Sequence, residues 1–552
     1  MRLPHRNSKL KPLILALAAA AAGVLWSYFW RVFFYLDSRI SPLWVTLGCV
    51  AFVELCLLAA ALVRRFAKGF AAKGAVCIFL CGLLFAFANP PLQTPDETDH
   101  YLRTYAISMG RFDFDASRGY PGDVDAFMNA FPGAWVNAHT SAGVGKNPDT
   151  GQEQAYNTAG YALKQYGSDG RIESVADSFA AYLGRDTAQQ DGDTVTEPVS
   201  FLILPFLPGA LGMALARLMG LGALGCLYGG RIGNLVAYTL LCWLALRRAD
   251  KYRPAFLCIM LLPMSLFMGA SLSYDATLLG CYYLMLALLT RENWDTSTAG
   301  MYAAACIFVN VAKPYLNLLW ALPVLLVTAH QWKARGRRWQ WVLAMLAGAL
   351  AATLLVEWYG TAFRFNYPTI ARQGGSTVNG GQQLAFVLAN PLRTLAVFWG
   401  TLAENDFFIG QLGLFGWKDL PVNWLNLTGP IVLGAAAMLS SARQGPGLGR
   451  RRTAGLGLFA LVYTVGAVAA MYITYTPVGM VRIVGLQTRY FLAIYLILML
   501  LAAPLLRRFF RPALEPARAE AGSVPLFAGY AVVGAVLLFQ HYFVGPIYTI
   551  YR

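Results

Sequence analysis

The sequence predicts an all-α, polytopic membrane protein of about thirteen transmembrane helices with one large extracytoplasmic loop. Three observations predict it. Of the 552 residues, 57% are hydrophobic and only 13% charged, about half the charged share of a soluble chain. Mean hydropathy is +0.50, and apolar runs of bilayer length (about 20 residues) recur along the chain. The basic residues behind the net charge of +16 stand in short clusters between those runs, which is the positive-inside pattern; no nucleic-acid partner is expected. Backbone groups in hydrocarbon have no water to bond, so the spans are helices or a closed barrel. Continuous rather than alternating apolar runs exclude the barrel.

The spans fall at 13–35, 43–63, 74–89, 231–247, 254–271, 275–290, 298–312, 315–329, 339–358, 428–441, 453–474, 488–506 and 524–544. The first is a retained span rather than a cleaved signal, because no small-residue cleavage site follows and the run continues through Trp26, Phe29 and Phe33. The chain divides into a three-span segment (1–89), a polar loop (90–198) rich in Gly, Asp, Ser, Ala and Tyr, and a helical bundle (199–552). The basic clusters are Arg2/Arg6/Lys9/Lys11, Arg64/Arg65/Lys68/Lys73, Arg247/Arg248/Lys251/Arg253, Arg335/Arg337/Arg338, Arg450/Arg451/Arg452 and Arg507/Arg508/Arg511. Counted from a cytoplasmic N-terminus, each lands inside. Two further apolar stretches, 199–218 and part of 382–402, would flip the later clusters if either alone crossed. Both are therefore read as helices lying at the outer interface or dipping in and out, the first interrupted by Pro205 and Pro208. A short helix is expected over 97–110, after the prolines at 90, 91 and 95. The nine cysteines all lie in or beside apolar runs, so they read as small packing residues and not as a disulfide or metal framework.

Ionisable groups near a membrane are costly, and each is a candidate for function. Here they gather on the outer side. Asp96, Glu97, Asp99 and His100 follow the third span; Tyr274 and Asp275 lie at an outer turn; Lys313 precedes Pro314; Arg482 and Arg489 flank the start of the span at 488–506. Asp96 and Glu97 suit a helix start, where the dipole favours acids. Equally, a carboxylate there suits a general base on an acceptor hydroxyl or a metal ligand. His100, one turn beyond Asp96, makes Asp96/His100 the candidate pair for a divalent ion. Lys313 and Arg489 suit an anionic phosphate or a lipid headgroup. Asp275 is open between a site carboxylate and the N-cap of the span that follows. Trp358, Tyr359, Trp417, Trp424, Tyr472 and Tyr475 read as an interfacial aromatic belt.

The segment Pro95-Asp96-Glu97-Thr98-Asp99-His100 resembles the proline–acid–acid–x–x–His opening of the bacterial membrane family called domain of unknown function 2142. So do Leu262-Pro263-Met264-Ser265 leading into Ser271-Leu272-Ser273-Tyr274-Asp275, then Lys313-Pro314-Tyr315, and Gly485-Leu486-Gln487-Thr488-Arg489-Tyr490-Phe491. The last resembles a Gln-Gly-Arg-Tyr-Phe signature, with Thr488 where the family usually has glycine. The resemblance covers about 75–505. That family resembles in layout the integral-membrane C-type glycosyltransferases, which hold an acidic pair in the first large outer loop and take sugars from polyprenyl-phosphate carriers. Two extra spans before the acidic loop depart from the simplest members of that fold.

The likeness implies a bacterial plasma-membrane glycosyltransferase moving a sugar from a polyprenyl-phosphate carrier to a cell-envelope glycan or lipid acceptor. Asp96 would be the base, with Glu97 the second choice. His100, Tyr274, Asp275, Lys313, Arg489 and Tyr490 would bind substrate. A transporter or flippase of a lipid-linked glycan, and a non-catalytic envelope-assembly protein, are the alternatives.

Overall fold

The first three apolar runs each fold as one continuous helix: α1 (Leu10–Phe34), α2 (Pro42–Phe66) and α3 (Phe70–Ala88). The computed structural model describes residues 10–34, 41–112, 119–131, 141–146, 153–157, 175–185, 203–312, 319–362, 378–403, 410–415, 420–421, 425, 428–442, 447–483, 485–509 and 516–544. Pro42 opens α2 at a position whose amide has no helical partner. Gly69, at φ +81°, turns the chain into α3 without a Cβ penalty.

The described part of the polar loop holds α4 (Glu97–Ser108), α5 (Gly122–Ala130), an antiparallel ribbon of β1 (Ser141–Lys146) and β2 (Glu153–Asn157), and α6 (Val175–Leu183). The expected helix over 97–110 is thus α4, while most of the loop lies outside the described residues. The bundle follows as α7 (Leu207–Leu218), α8 (Ala223–Arg248), α9 (Arg253–Leu261), α10 (Pro263–Gly269), α11 (Asp275–Leu289), α12 (Thr296–Ala312), α13 (Leu322–Leu326), α14 (Arg338–Ala362), α15 (Gly380–Ala389) and α16 (Pro391–Ala403). Helices Gly434–Ala442, Arg450–Thr474, Leu492–Phe509 and Pro516–Phe539 complete it.

Eight of the thirteen expected spans coincide with helices long and apolar enough to cross a membrane. The other five are shorter or broken. The run at 254–271 is α9 and α10, separated at Leu262–Pro263, where the proline has no N–H to donate; the Tyr238 hydroxyl bonds the Met260 carbonyl beside the break at 2.9 Å. The run at 275–290 is α11, 15 residues long and buried throughout, as an apolar segment too short to cross alone is expected to be. α12 has 17 residues. The run at 315–329 begins outside the described residues and continues as α13. The run at 428–441 opens with a π-helical turn, Thr428–Leu433. The stretch read as dipping is α15 and α16, bent by 108°.

The stretch at 199–218 is a 3-10 turn (Leu204–Phe206) running into α7. Pro205 and Pro208 occupy the first turns and do not interrupt α7, because a proline there loses no helical bond. α7 runs antiparallel to the first half of α8. A Cβ on Gly212 would stand 2.0 Å from the Gly229 carbonyl oxygen, and one on Gly233 2.2 Å from that of Pro208. Only glycine permits backbones this close.

Three of the basic clusters, those at 247–253, 335–338 and 450–452, meet at one end of the bundle. Lys251 pairs with Glu292 at 3.0 Å, Arg452 donates to the Arg291 carbonyl at 2.8 Å, and Arg338 donates to the Val327 carbonyl at 2.6 Å. Gly74, near the start of α3, packs on Leu246 near the end of α8. The acidic segment that follows α3 therefore lies at the opposite end. Of the aromatics read as a belt, Trp358 is exposed, whereas Tyr472 is fully buried and donates to the Met480 carbonyl at 2.9 Å. All nine cysteines are free, and eight are buried.

Candidate functional site

The site is built on the connection between α3 and α4. Arg231, in α8, is fully buried and spends every N–H it has there. Its Nε donates to Glu97 Oε1 at 2.9 Å and Nη2 to Glu97 Oε2 at 2.6 Å. Nη1 donates to the carbonyls of Ala86 (2.8 Å) and Asn89 (2.7 Å), and Nη2 also to that of Pro90 (2.8 Å). Glu97, itself 0% exposed, accepts further from the Leu272 amide at 3.0 Å and the Thr94 amide at 3.4 Å. A buried fork-to-fork pair is tolerated only when its remaining donors and acceptors are satisfied, and this one is. It ties the end of α3, the start of α4, α8 and the 271–275 turn into one unit. Asn234 adds to that unit by donating to the carbonyls of Ser271 (2.8 Å) and Ser273 (3.2 Å).

Asp96 stands one residue earlier in a different environment. It is the N-cap residue of α4 yet makes no capping bond, and it sits in the left-handed region at φ +64°, which Asp and Asn visit more readily than other side-chain-bearing residues. Its side chain is 54% exposed and reaches Arg489 Nη2 at 3.4 Å. Arg489, 9% exposed, also faces Asp275 Oδ2 from its Nε at 3.8 Å. Asp275 is the first residue of α11 and not its cap; its amide is taken by Ser273 Oγ at 3.1 Å.

His100, one turn into α4, is buried at 5% exposure. Its ring stacks on Tyr274 at 5.1 Å and meets Phe206 edge-on at 5.5 Å. Burial lowers its pKa to about 4, against the opposing pull of Asp96, Asp275 and Glu97. It is therefore neutral at pH 7, and its Nδ1 has no hydrogen-bond partner among the described residues.

Three of the four sequence motifs thus converge, although Asp96 and Arg489 are 393 positions apart. Asp96, His100, Tyr274, Asp275 and Arg489 line one locus, with Tyr490 beside it; the Arg489 guanidinium lies 5.5 Å from the Tyr490 ring centroid. Glu97 adjoins the locus but faces inward. Lys313 lies outside the described residues. Among the described residues no group of three or more His, Cys, Asp or Glu side chains is arranged to hold a metal, so the Asp96/His100 pair lacks a third protein ligand there. Thr488, where a glycine was the pattern, is accommodated as a buried residue at the head of a 3-10 turn. Sequence reasoning missed Arg231 and Phe206. Arg231 carried a signal, since it is an arginine inside an apolar stretch, but it was absorbed as a span boundary.

A family model described as "Predicted membrane protein (DUF2142)" matches residues 79–498. No curated protein and no solved structure matches the chain.

Proposed function

The chain belongs to the DUF2142 family of predicted membrane proteins, and from that premise we propose that it is an extracytoplasmic-face glycosyltransferase drawing on a polyprenyl-phosphate sugar. The observation that carries the reading is the loose Asp96–Arg489 contact at the end of the bundle opposite the basic clusters. At 3.4 Å, with the Asp96 side chain 54% exposed against 9% for Arg489, the contact is weak, worth about 0–1 kcal/mol, so an incoming phosphate can take Arg489 from Asp96. Asp275 continues to hold the guanidinium from its other side. The released Asp96 carboxylate then accepts the proton of the acceptor hydroxyl as the hydroxyl oxygen attacks the sugar's anomeric carbon. The bond from that carbon to the phosphate oxygen breaks, and Arg489 stabilises the charge that develops on the departing polyprenyl phosphate. Glu97 has no free oxygen for the base role, which leaves it to Asp96. In the His100–Tyr274–Phe206 group, Tyr274 is the partly exposed ring that would meet a sugar, with His100 and Phe206 buried behind it.

The test is Asp96→Asn in the living cell, with membrane insertion and protein level confirmed, and with envelope glycans compared with the parent. Loss of one sugar modification at normal protein level is expected. Unchanged glycans overturn the reading. A lipid-linked glycan transporter is the second reading, favoured by the broken helix at Leu262–Pro263 and the 108° bend between α15 and α16, features that accompany transporter sites. It predicts accumulation of carrier-linked glycan on the cytoplasmic leaflet, whereas the transferase predicts accumulation of sugar-charged carrier on the outer one.

A further inference from the structure

The hairpin of α1 and α2 lies outside the residues the family model matches. Its second helix is the least covered of the eight long apolar helices among the described residues: 6% of the apolar stretch of α2 is buried, against 22% in α1 and 50% in Thr488–Leu506. Its two helices run antiparallel. Gly23 packs on Val50, and the hydroxyls of Ser27 and Thr46 meet at 3.0 Å. The Trp30 indole N–H ties the hairpin to the body by donating to Gln540 Oε1 at 3.0 Å.

Glu54 is at the centre of the 25-residue α2, about 18 Å from either end at about 1.5 Å per residue. Its side chain is too short to snorkel that distance. It is half-buried, and among the described residues no hydrogen bond or ion pair reaches it. A carboxyl at this depth faces a partner or a cavity in other membrane proteins. The residues above and below it on the same helical face, Leu47, Ala51, Leu58 and Ala61, are all exposed. The antiparallel pairing sets Ala18, Ala21 and Ala22 of α1, also exposed, at the same level. Small side chains beside a polar group are what close helix association in a membrane uses.

We propose that Glu54 marks a self-association face, through which two copies of this chain pack by α2 about a twofold axis normal to the membrane. A closed twofold contact puts the same residue at the same depth on both sides. A carboxyl is complementary to itself: once one of the pair carries a proton, its O–H donates to an oxygen of the other. No second kind of chain is needed to satisfy the group.

The experiment measures the oligomeric state of the full-length protein in lipid nanodiscs, with cysteine cross-linking in native membranes beside it. Wild type is expected to be dimeric. Glu54→Leu is expected to raise the dimer dissociation constant roughly tenfold, whereas Glu54→Gln, which keeps a donor and an acceptor, retains the dimer. With the half-exposed Cys56 changed to Ala, Ala51→Cys should form a disulfide-linked dimer under mild oxidation. Leu354→Cys, exposed on α14, should not. The cross-link leaves Glu54 in place and so stands even if Glu54→Leu fails to fold. A monomeric wild type, a dimer indifferent to Glu54→Leu, or cross-linking at Leu354 and not Ala51 overturns the proposal; a partner helix bearing a cation would appear as the first of these.

Discussion

Asp96 and Glu97 are adjacent acids, each facing an arginine from a distant helix, and they do different work. Glu97 and Arg231 are both fully buried, and the oxygens and N–H groups of the pair are all taken. Asp96 is half-exposed and touches Arg489 at the edge of hydrogen-bonding distance. The inner pair is a fastener, because any change leaves a charge buried without its partner. The outer pair is exchangeable on its exposed side, because water or a ligand anion can take the place of the Asp96 carboxylate beside Arg489. Within one residue the chain passes from a saturated electrostatic joint to a reactive one, and burial makes the difference.

The comparison breaks most readily at the inner pair. Arg231→Met or Glu97→Gln alone removes one partner from a buried ion pair, which typically costs about 3–5 kcal/mol. Either variant is expected to insert poorly or to lose most of its thermal stability in detergent, and melting of the purified protein checks it. An unchanged melting temperature would mean that the inner joint is as dispensable as the outer one. Double replacement by apolar residues should recover only part of the loss: it leaves no buried charge unpaired, but the carbonyls of Ala86, Asn89 and Pro90 and the amides of Thr94 and Leu272 lose their side-chain partners.

His100 supplies the next effect, through pH. Its folded pKa, about 4, lies below the ordinary histidine value of about 6.5. Between these values the unfolded chain binds a proton that the folded chain refuses, so stability rises with pH. The contribution is fully present above about pH 6.5 and declines by about 1.4 kcal/mol for each pH unit descended inside the window. His100→Gln should flatten melting temperature against pH between 6.5 and 5. A slope shared by wild type and variant would assign the sensitivity elsewhere.

The helical membrane class, the three N-terminal helices and α4 were legible because each rests on a local signal: a bilayer-length apolar run, a proline boundary or an acid-rich first turn. The five spans that came out short or broken were less legible, because hydropathy reports burial in apolar surroundings and not what supplies them. α11 is apolar beyond its first turn yet is surrounded by protein. The site was half-legible. Asp96, His100, Tyr274, Asp275 and Arg489 stood out as ionisable or aromatic groups at turns on one side of the sequence map. Their convergence depends on packing across 393 positions, which no local pattern encodes. Arg231 was hidden for the opposite reason: its partners are backbone carbonyls and one acid more than a hundred residues away.

The smallest effect sharpens the contrast most, because it separates backbone from side chain at Asp96. The residue's left-handed conformation costs alanine about 1 kcal/mol or more, but asparagine much less and glycine almost nothing. The lost contact with Arg489 is worth about 0–1 kcal/mol at a half-exposed position. Asp96→Asn should therefore melt within about 1 kcal/mol of wild type, Asp96→Gly should match or slightly exceed it, and Asp96→Ala should be the least stable of the three. If stability instead tracked the loss of the carboxylate, with Asn, Gly and Ala equally damaged, then the Asp96–Arg489 pair would be a second fastener. Exchange with an incoming phosphate would then lose its physical basis.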